Sequence, residues 1–157
     1  MIEITSESPE ETRELARWIG RLLQPGDVIA LDGCLGAGKT CFTQGLAAGL
    51  EVDSEEGLSS PSYTLMNEYP GRLTLYHFDA YFFEKGESLL DAGADDYFFG
   101  EGVCVVEWAE KVRDVLPEGH LSIRIEPIGA TRRHLRLEGP SAWLERLRPK
   151  SARELGD

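Results

Sequence analysis

The segment Gly33-Cys34-Leu35-Gly36-Ala37-Gly38-Lys39-Thr40 constrains this chain more than any other feature of it. It matches the pattern GxxxxGK[ST] in full. Before it stands Val28-Ile29-Ala30-Leu31, an unbroken apolar run, and after it Phe42, Leu46 and Leu50 recur at helical spacing. A continuous apolar run reads as a strand buried on both faces, so the glycines join a central strand to a helix. Glycine lets the backbone curl until successive N–H groups point inward, and the helix adds its positive N-terminal end. The product is a phosphate cradle. Lys39 is placed to reach β- and γ-phosphates and the Thr40 hydroxyl to ligate magnesium, which makes ATP and Mg2+ the expected ligands. The alternative, a glycine-rich turn that holds nothing, does not call for the strand and the helix on its two sides.

Such a site also needs an acid at the end of a neighbouring strand to hold magnesium, directly or through water. Two residues qualify: Glu107, after Val103-Cys104-Val105-Val106, and Asp79, after Leu73-Thr74-Leu75-Tyr76-His77-Phe78. Glu107 follows the more continuous apolar run, so its strand is expected beside the strand that carries the glycine loop. His77, set among apolar residues, reads as a core or supporting histidine before it reads as a general base. Trp108 reads as packing before it reads as a stacking platform.

The rest of the chain orders itself around this centre. At 157 residues it fits one domain, expected as a single P-loop ATPase domain over 1–148 with a flexible C-terminal tail over 149–157. Ile2 and Ile4 suggest a short first strand. Ser8-Pro9-Glu10-Glu11 reads as a helix start, with a hydroxyl cap, proline at the first helical position and acids in the first turn. Two β-rich runs, Tyr63 to Tyr69 and Arg72 to Asp79, flank Pro70-Gly71 and predict a hairpin. Residues 84–99 predict a helix with a loop, 120–126 and 133–138 two further strands, and Ser141 opens a last helix. The fold class that follows is α/β, a P-loop NTPase-like sandwich with a central mixed, mostly parallel sheet flanked by helices.

Composition narrows the function classes. Three cysteines with no CxxC pair, and three histidines, show no zinc-ligand spacing. No run reaches the ~20 apolar residues of a membrane span, and Met1-Ile2-Glu3-Ile4-Thr5 carries no export signal, so a cytoplasmic location is expected. A net charge of −12 weighs against direct, non-specific grip on nucleic acid. The charge is uneven: residues 84–118 hold ten acids and three bases, residues 119–150 seven bases and three acids. A solvated acidic surface explains this, and so does a docking surface for a basic partner.

GCLGAGKT-CF, SSPSYTLMNEY, LYHFDAYFF and VVEWAE, in this order and spacing, resemble the TsaE family, also called YjeE, over roughly residues 5 to 138. The resemblance implies an ATPase required for making threonylcarbamoyladenosine in tRNA. It implies Lys39 and Thr40 as phosphate and magnesium residues, Glu107 as the second magnesium contact and Asp79 as a residue needed for hydrolysis. It further implies nucleotide contacts along Leu35, Gly36, Ala37, Gly38 and Cys41, Trp108 against the nucleotide, Ser8 and Pro9 toward the adenine, and a switch at Ser62. Arg132 is a further candidate that folds back over the site. The implied partners are TsaD-like and TsaB-like subunits of the threonylcarbamoyl transfer complex. Four positions depart from the family pattern: Cys34 for Asp, Cys41 for a second Thr, Ser62 for the switch Thr and Phe82 for Arg.

Two other classes fit the glycine loop. A nucleotide-dependent switch without turnover is one, although the Asn/Thr-Lys-x-Asp run of guanine-specific switches is absent. A small-molecule kinase is the other, and it calls for several cations around the moving phosphate. Between Thr40 and Glu110 the only bases are Arg72 and Lys85, which weighs against a kinase and predicts slow hydrolysis by the chain alone. Arg132 and Arg133 are the late bases able to reach back. Cys41, near a helix N-terminus, is expected to favour its thiolate.

Overall fold

Val28–Asp32, the run that precedes the glycine loop, forms β2 with all five residues buried. The computed structural model describes residues 1–34, 36–53, 66–81, 83 and 86–150, without the side chains of 148–150. Around β2 lie β1 (Ile2–Ser6), α1 (Pro9–Leu22), α2 (Lys39–Gly49), β3 (Met66–Tyr69), β4 (Leu75–Asp79), α3 (Gly86–Asp91) and α4 (Ala94–Phe98). Then come β5 (Val103–Glu107), 3-10 turns at Ala109–Lys111 and Arg113–Val115, β6 (Leu121–Pro127), β7 (Arg133–Glu138) and α5 (Ser141–Lys150).

The seven strands form one sheet in the order β1-β7-β6-β2-β5-β4-β3. The sheet is mixed, as expected. Its three parallel pairings, β2 with β5, β2 with β6 and β4 with β5, form the centre. The antiparallel pairings β1–β7, β6–β7 and β3–β4 are confined to the flanks. Short connections explain β6–β7 and β3–β4, since an antiparallel neighbour needs only a hairpin while a parallel one needs a crossover; β1 and β7, from opposite ends of the chain, pair at the sheet's edge. The Pro70-Gly71 hairpin is one of the short connections; residues 63–65 of its expected first strand lie outside the described residues.

Alternation along the strands splits the core in two. Ile29, Leu31, Leu75, Val103, Val105, Leu121 and Ile123 face the layer of α1, α2 and α5. Val28, Ala30, Phe78, Cys104 and Val106 face the layer of α3 and α4. By the same parity Asp79 and Glu107 lie on the face that α2 covers, and so does His77. Helix α1 starts where the sequence marks it: the Glu11 N–H donates to the Ser8 hydroxyl at 3.1 Å, and the Glu11 carboxylate accepts from the Glu7 N–H at 2.7 Å.

Candidate nucleotide site

The glycine loop turns from β2 into α2 through three glycines at positive φ, Gly33 at 155°, Gly36 at 81° and Gly38 at 110°. Gly38 is the residue before α2 and offers no side chain to cap it. The first backbone bond of the helix runs from the Phe42 N–H to the Gly38 carbonyl, 2.9 Å. The amides of Lys39, Thr40 and Cys41 therefore precede the helix's own hydrogen-bond ladder and mark its positive end. Such an end, uncapped and bordered by exposed Gly36 and Thr40, is built for an anion.

Lys39 is buried. Its ammonium donates to the Gly33 carbonyl at 2.7 Å and lies 3.4 Å from the centre of the Trp108 ring. Burial pushes its pKa down, opposed by the carboxylates of Glu107, Asp32 and Asp79. A desolvated cation held by a carbonyl and an aromatic face lacks a charge partner in direct contact among the described residues, and a phosphate supplies one.

The two acids stand side by side. Glu107, 2% exposed, ends β5 and pairs in register with Leu31 on β2 and with Asp79 on β4. The strand that carries Glu107 is thus the direct neighbour of the loop-bearing strand, as its apolar run predicted, while the strand of Asp79 is one place further out. The Glu107 carboxylate contacts His77 Nε2 inside the core. Asp79 accepts from the Tyr81 N–H at 2.9 Å. Burial pushes the Asp79 carboxyl up; the Tyr81 N–H, His77 and Lys39 oppose this, and the Glu107 charge adds to it. Trp108, directly after Glu107, is held at φ 57° in the left-handed region, a conformation rare for a bulky residue and frequent where function fixes the backbone. Chemically, an anion cradle, one buried cation and two carboxylates meet at the C-terminal ends of parallel strands, where α/β sheets bind ligands.

The family model for "Threonylcarbamoyl adenosine biosynthesis protein TsaE" matches residues 6–135. The chain belongs to the TsaE family. It is 44% identical over 126 residues to the Treponema pallidum tRNA threonylcarbamoyladenosine biosynthesis protein TsaE, covering 78% of this chain and 92% of that protein. Its identity to the Bacillus subtilis protein of the same name is 43% over 129 residues, covering 82% of this chain and 79% of the relative. The crystal structure of YdiB from Bacillus subtilis superposes with a TM-score of 0.77 at 35% identity, over 96% of this chain and 94% of that one.

In this TsaE chain a second group of residues gathers on the other side of the loop. The Cys41 thiol donates to the Pro9 carbonyl at 3.4 Å, which ties the start of α1 to the first turn of α2. Thr131 Oγ1 donates to the Glu7 carbonyl at 3.1 Å, and Arg132 Nε to the Glu7 carboxylate at 2.8 Å. Ser8, Pro9, Cys41 and Arg132 are thereby brought to one edge, whereas Lys39, Asp79, Glu107 and Trp108 form the opposite wall. Cys41 lies in the first turn of α2, as expected, but burial works against the thiolate by pushing its pKa up, and outweighs the nearby Arg13 and Arg133. Leu35, Ser62 and Phe82 lie outside the described residues.

Asp32 escaped the sequence reading as a site residue, while Arg133, expected as a late base able to reach back, does meet the loop. Arg133 Nε donates to the Ala37 carbonyl at 2.8 Å, so a guanidinium in cis lies on the glycine loop itself; its Nη1 also holds the Gly129 and Arg132 carbonyls. Asp32, buried at the end of β2, accepts from the Glu110 N–H at 3.0 Å and from Arg113 Nη2 at 2.5 Å. It clamps the turn after Trp108 to the strand that carries the loop. An acid closing a wholly apolar run was the available signal for Asp32. For Arg133 the sequence indicated a base able to reach back, but not the Ala37 carbonyl that it meets.

Proposed function

We propose that this chain is the ATP-binding and hydrolysing subunit of threonylcarbamoyladenosine modification of tRNA, and that it drives turnover of a partner complex of TsaD-like and TsaB-like subunits in the cytoplasm. The observation that carries the ATPase reading is the row of Asp79 and Glu107, in register on adjacent strands, facing the helix that begins with Lys39. The printed names of the relatives supply the pathway. Among the described residues no helix is long and apolar enough to cross a membrane.

The donors fit a nucleotide with magnesium. No three His, Cys, Asp or Glu side chains gather to hold a metal by themselves among the described residues. Glu107 and the Thr40 hydroxyl would instead leave the remaining octahedral positions to phosphate oxygens and water, which suits magnesium's preference. When bound, the ion would neutralise charge on the phosphates. In this reading the loop amides and Lys39 bind the β- and γ-phosphates, and Lys39 leaves the Gly33 carbonyl to do so. Asp79, its proton affinity raised by burial, orients the attacking water and accepts its proton. Trp108 and Asp32 hold the Glu107 segment in place.

Lys39→Ala tests the reading. Calorimetric titration should show ATP affinity falling at least about 100-fold, about 2.7 kcal/mol, because charge-assisted bonds to phosphate are lost. Thr40→Ala should weaken affinity chiefly when magnesium is present. Undiminished ATP affinity in Lys39→Ala would remove the assignment.

A further inference from the structure

We propose that His77 is a positioning residue that holds the Glu107 carboxylate for the divalent cation of a bound nucleotide; the inference rests on the nucleotide reading above. His77 stands in the middle of β4, 1% exposed, paired in register with Val105 two residues before Glu107. Its ring shares the α2-facing side of the sheet with Glu107, and its Nε2 meets Glu107 Oε2. Its other nitrogen, Nδ1, is buried with no hydrogen-bond partner among the described residues.

These facts do not describe a packing residue. At a position paired with Val105 and two residues after Leu75 on the same buried face, an apolar side chain would fill the space without leaving a polar atom unsatisfied. Nor is the ring part of a structural network, which would engage both nitrogens. What the imidazole does at this place is direct one nitrogen at one carboxylate oxygen. Glu107 needs such direction. A glutamate has three side-chain torsions, and a carboxylate that must meet a cation performs best when its rotamer is fixed beforehand. Contact at Oε2 orients the carboxylate. The row also explains why the anchor comes from β4: Asp79 takes the register position opposite Glu107, so a side chain two residues earlier on the same face is the next one that reaches it.

Replacement by amides of different reach separates positioning from packing. The amide nitrogen of glutamine reaches as far as Nε2, whereas that of asparagine reaches only as far as Nδ1. His77→Gln, His77→Asn and His77→Leu are titrated with ATP across magnesium concentrations and in EDTA, and their melting is followed. His77→Gln should keep the parent's magnesium dependence. His77→Asn and His77→Leu should need about 10–100-fold more magnesium for the same ATP affinity, the usual cost of losing a group that orients a metal ligand. In EDTA all three should bind ATP like the parent. An unaltered magnesium requirement in His77→Leu, equal behaviour of Gln and Asn, or an equal loss in EDTA would overturn the inference. So would failure of both Asn and Leu to melt cooperatively, which would make His77 a folding residue. A parent protein whose ATP affinity ignores magnesium would instead overturn the nucleotide reading.

Discussion

Asp79 and Glu107 sit opposite each other in the sheet, yet their surroundings give them different work. Glu107 lies deep, against His77, at the end of the strand next to the loop; Asp79 lies nearer the surface, held by the Tyr81 N–H. Glu107→Ala should therefore lower magnesium-dependent ATP affinity, whereas Asp79→Asn should spare binding and reduce turnover about 100-fold, the usual scale for a proton-accepting group. The raised Asp79 pKa adds a stability signature. A carboxyl that holds its proton more tightly folded than unfolded contributes stability that is full below the ordinary carboxylate range, about pH 4, and is lost as pH rises through the folded pKa. Asp79→Asn should accordingly melt higher than the parent at pH 7, with the gain shrinking toward pH 4. Melting followed across pH, with steady-state turnover alongside, checks both halves. A gain that grows on acidification would reverse the sign and contradict the burial argument.

At the scale of elements, the site depends on how closely α1 and α2 approach. A Cβ built on Gly49 would stand 2.2 Å from the Arg17 carbonyl oxygen and 2.8 Å from the Gly20 Cα, backbone on backbone with no side chain to swing aside. Gly49→Ala should destabilise the fold by about 1–3 kcal/mol, read by denaturant unfolding, as overpacking does, even though alanine is the better helix former. An unchanged unfolding midpoint would mean that the helices are free to separate. The strands that build this layer were legible because β2 and β5 are unbroken apolar runs, and α1 because Ser8-Pro9-Glu10-Glu11 is a complete start signal. The 3-10 turns after Trp108 were not, since three-residue elements carry no period to read. The role of Asp32 and the particular contact of Arg133 were hidden for a related reason. Their partners, Arg113 and the Ala37 carbonyl, lie 81 and 96 residues away in sequence. Such contacts follow from sheet order, and only the central part of that order is implied by apolar runs.

For the whole molecule, charge and the supply of cations set the expectation. Among the described residues, Lys39 and Arg133 are the cations that the fold places on the glycine loop, and the Arg133 guanidinium is engaged with the Ala37 carbonyl. Neither Glu87 nor Asp91 is buried, and both belong to the acidic stretch that the formal charge of −12 comes from in part. A surface of this sign suits a basic protein partner better than tRNA itself. On the proposed reading, a partner that completes the site, by adding a cation or by ordering the segment around Ser62, would raise a hydrolysis rate expected to be slow for the chain alone. The most direct measurement combines the purified chain with the TsaD-like and TsaB-like subunits, ATP and tRNA. Threonylcarbamoyladenosine and ATP hydrolysis are then counted over many turnovers at two salt concentrations, with the parent, Lys39→Ala and a Glu87→Lys/Asp91→Lys variant. The account predicts weak hydrolysis by the isolated chain, stimulation by the partners that falls with salt, and repeated modification that stops in Lys39→Ala. The charge-reversed variant should bind ATP normally and lose much of the stimulation. Repeated modification undiminished in Lys39→Ala, or full hydrolysis by the isolated chain regardless of partner and salt, would contradict it.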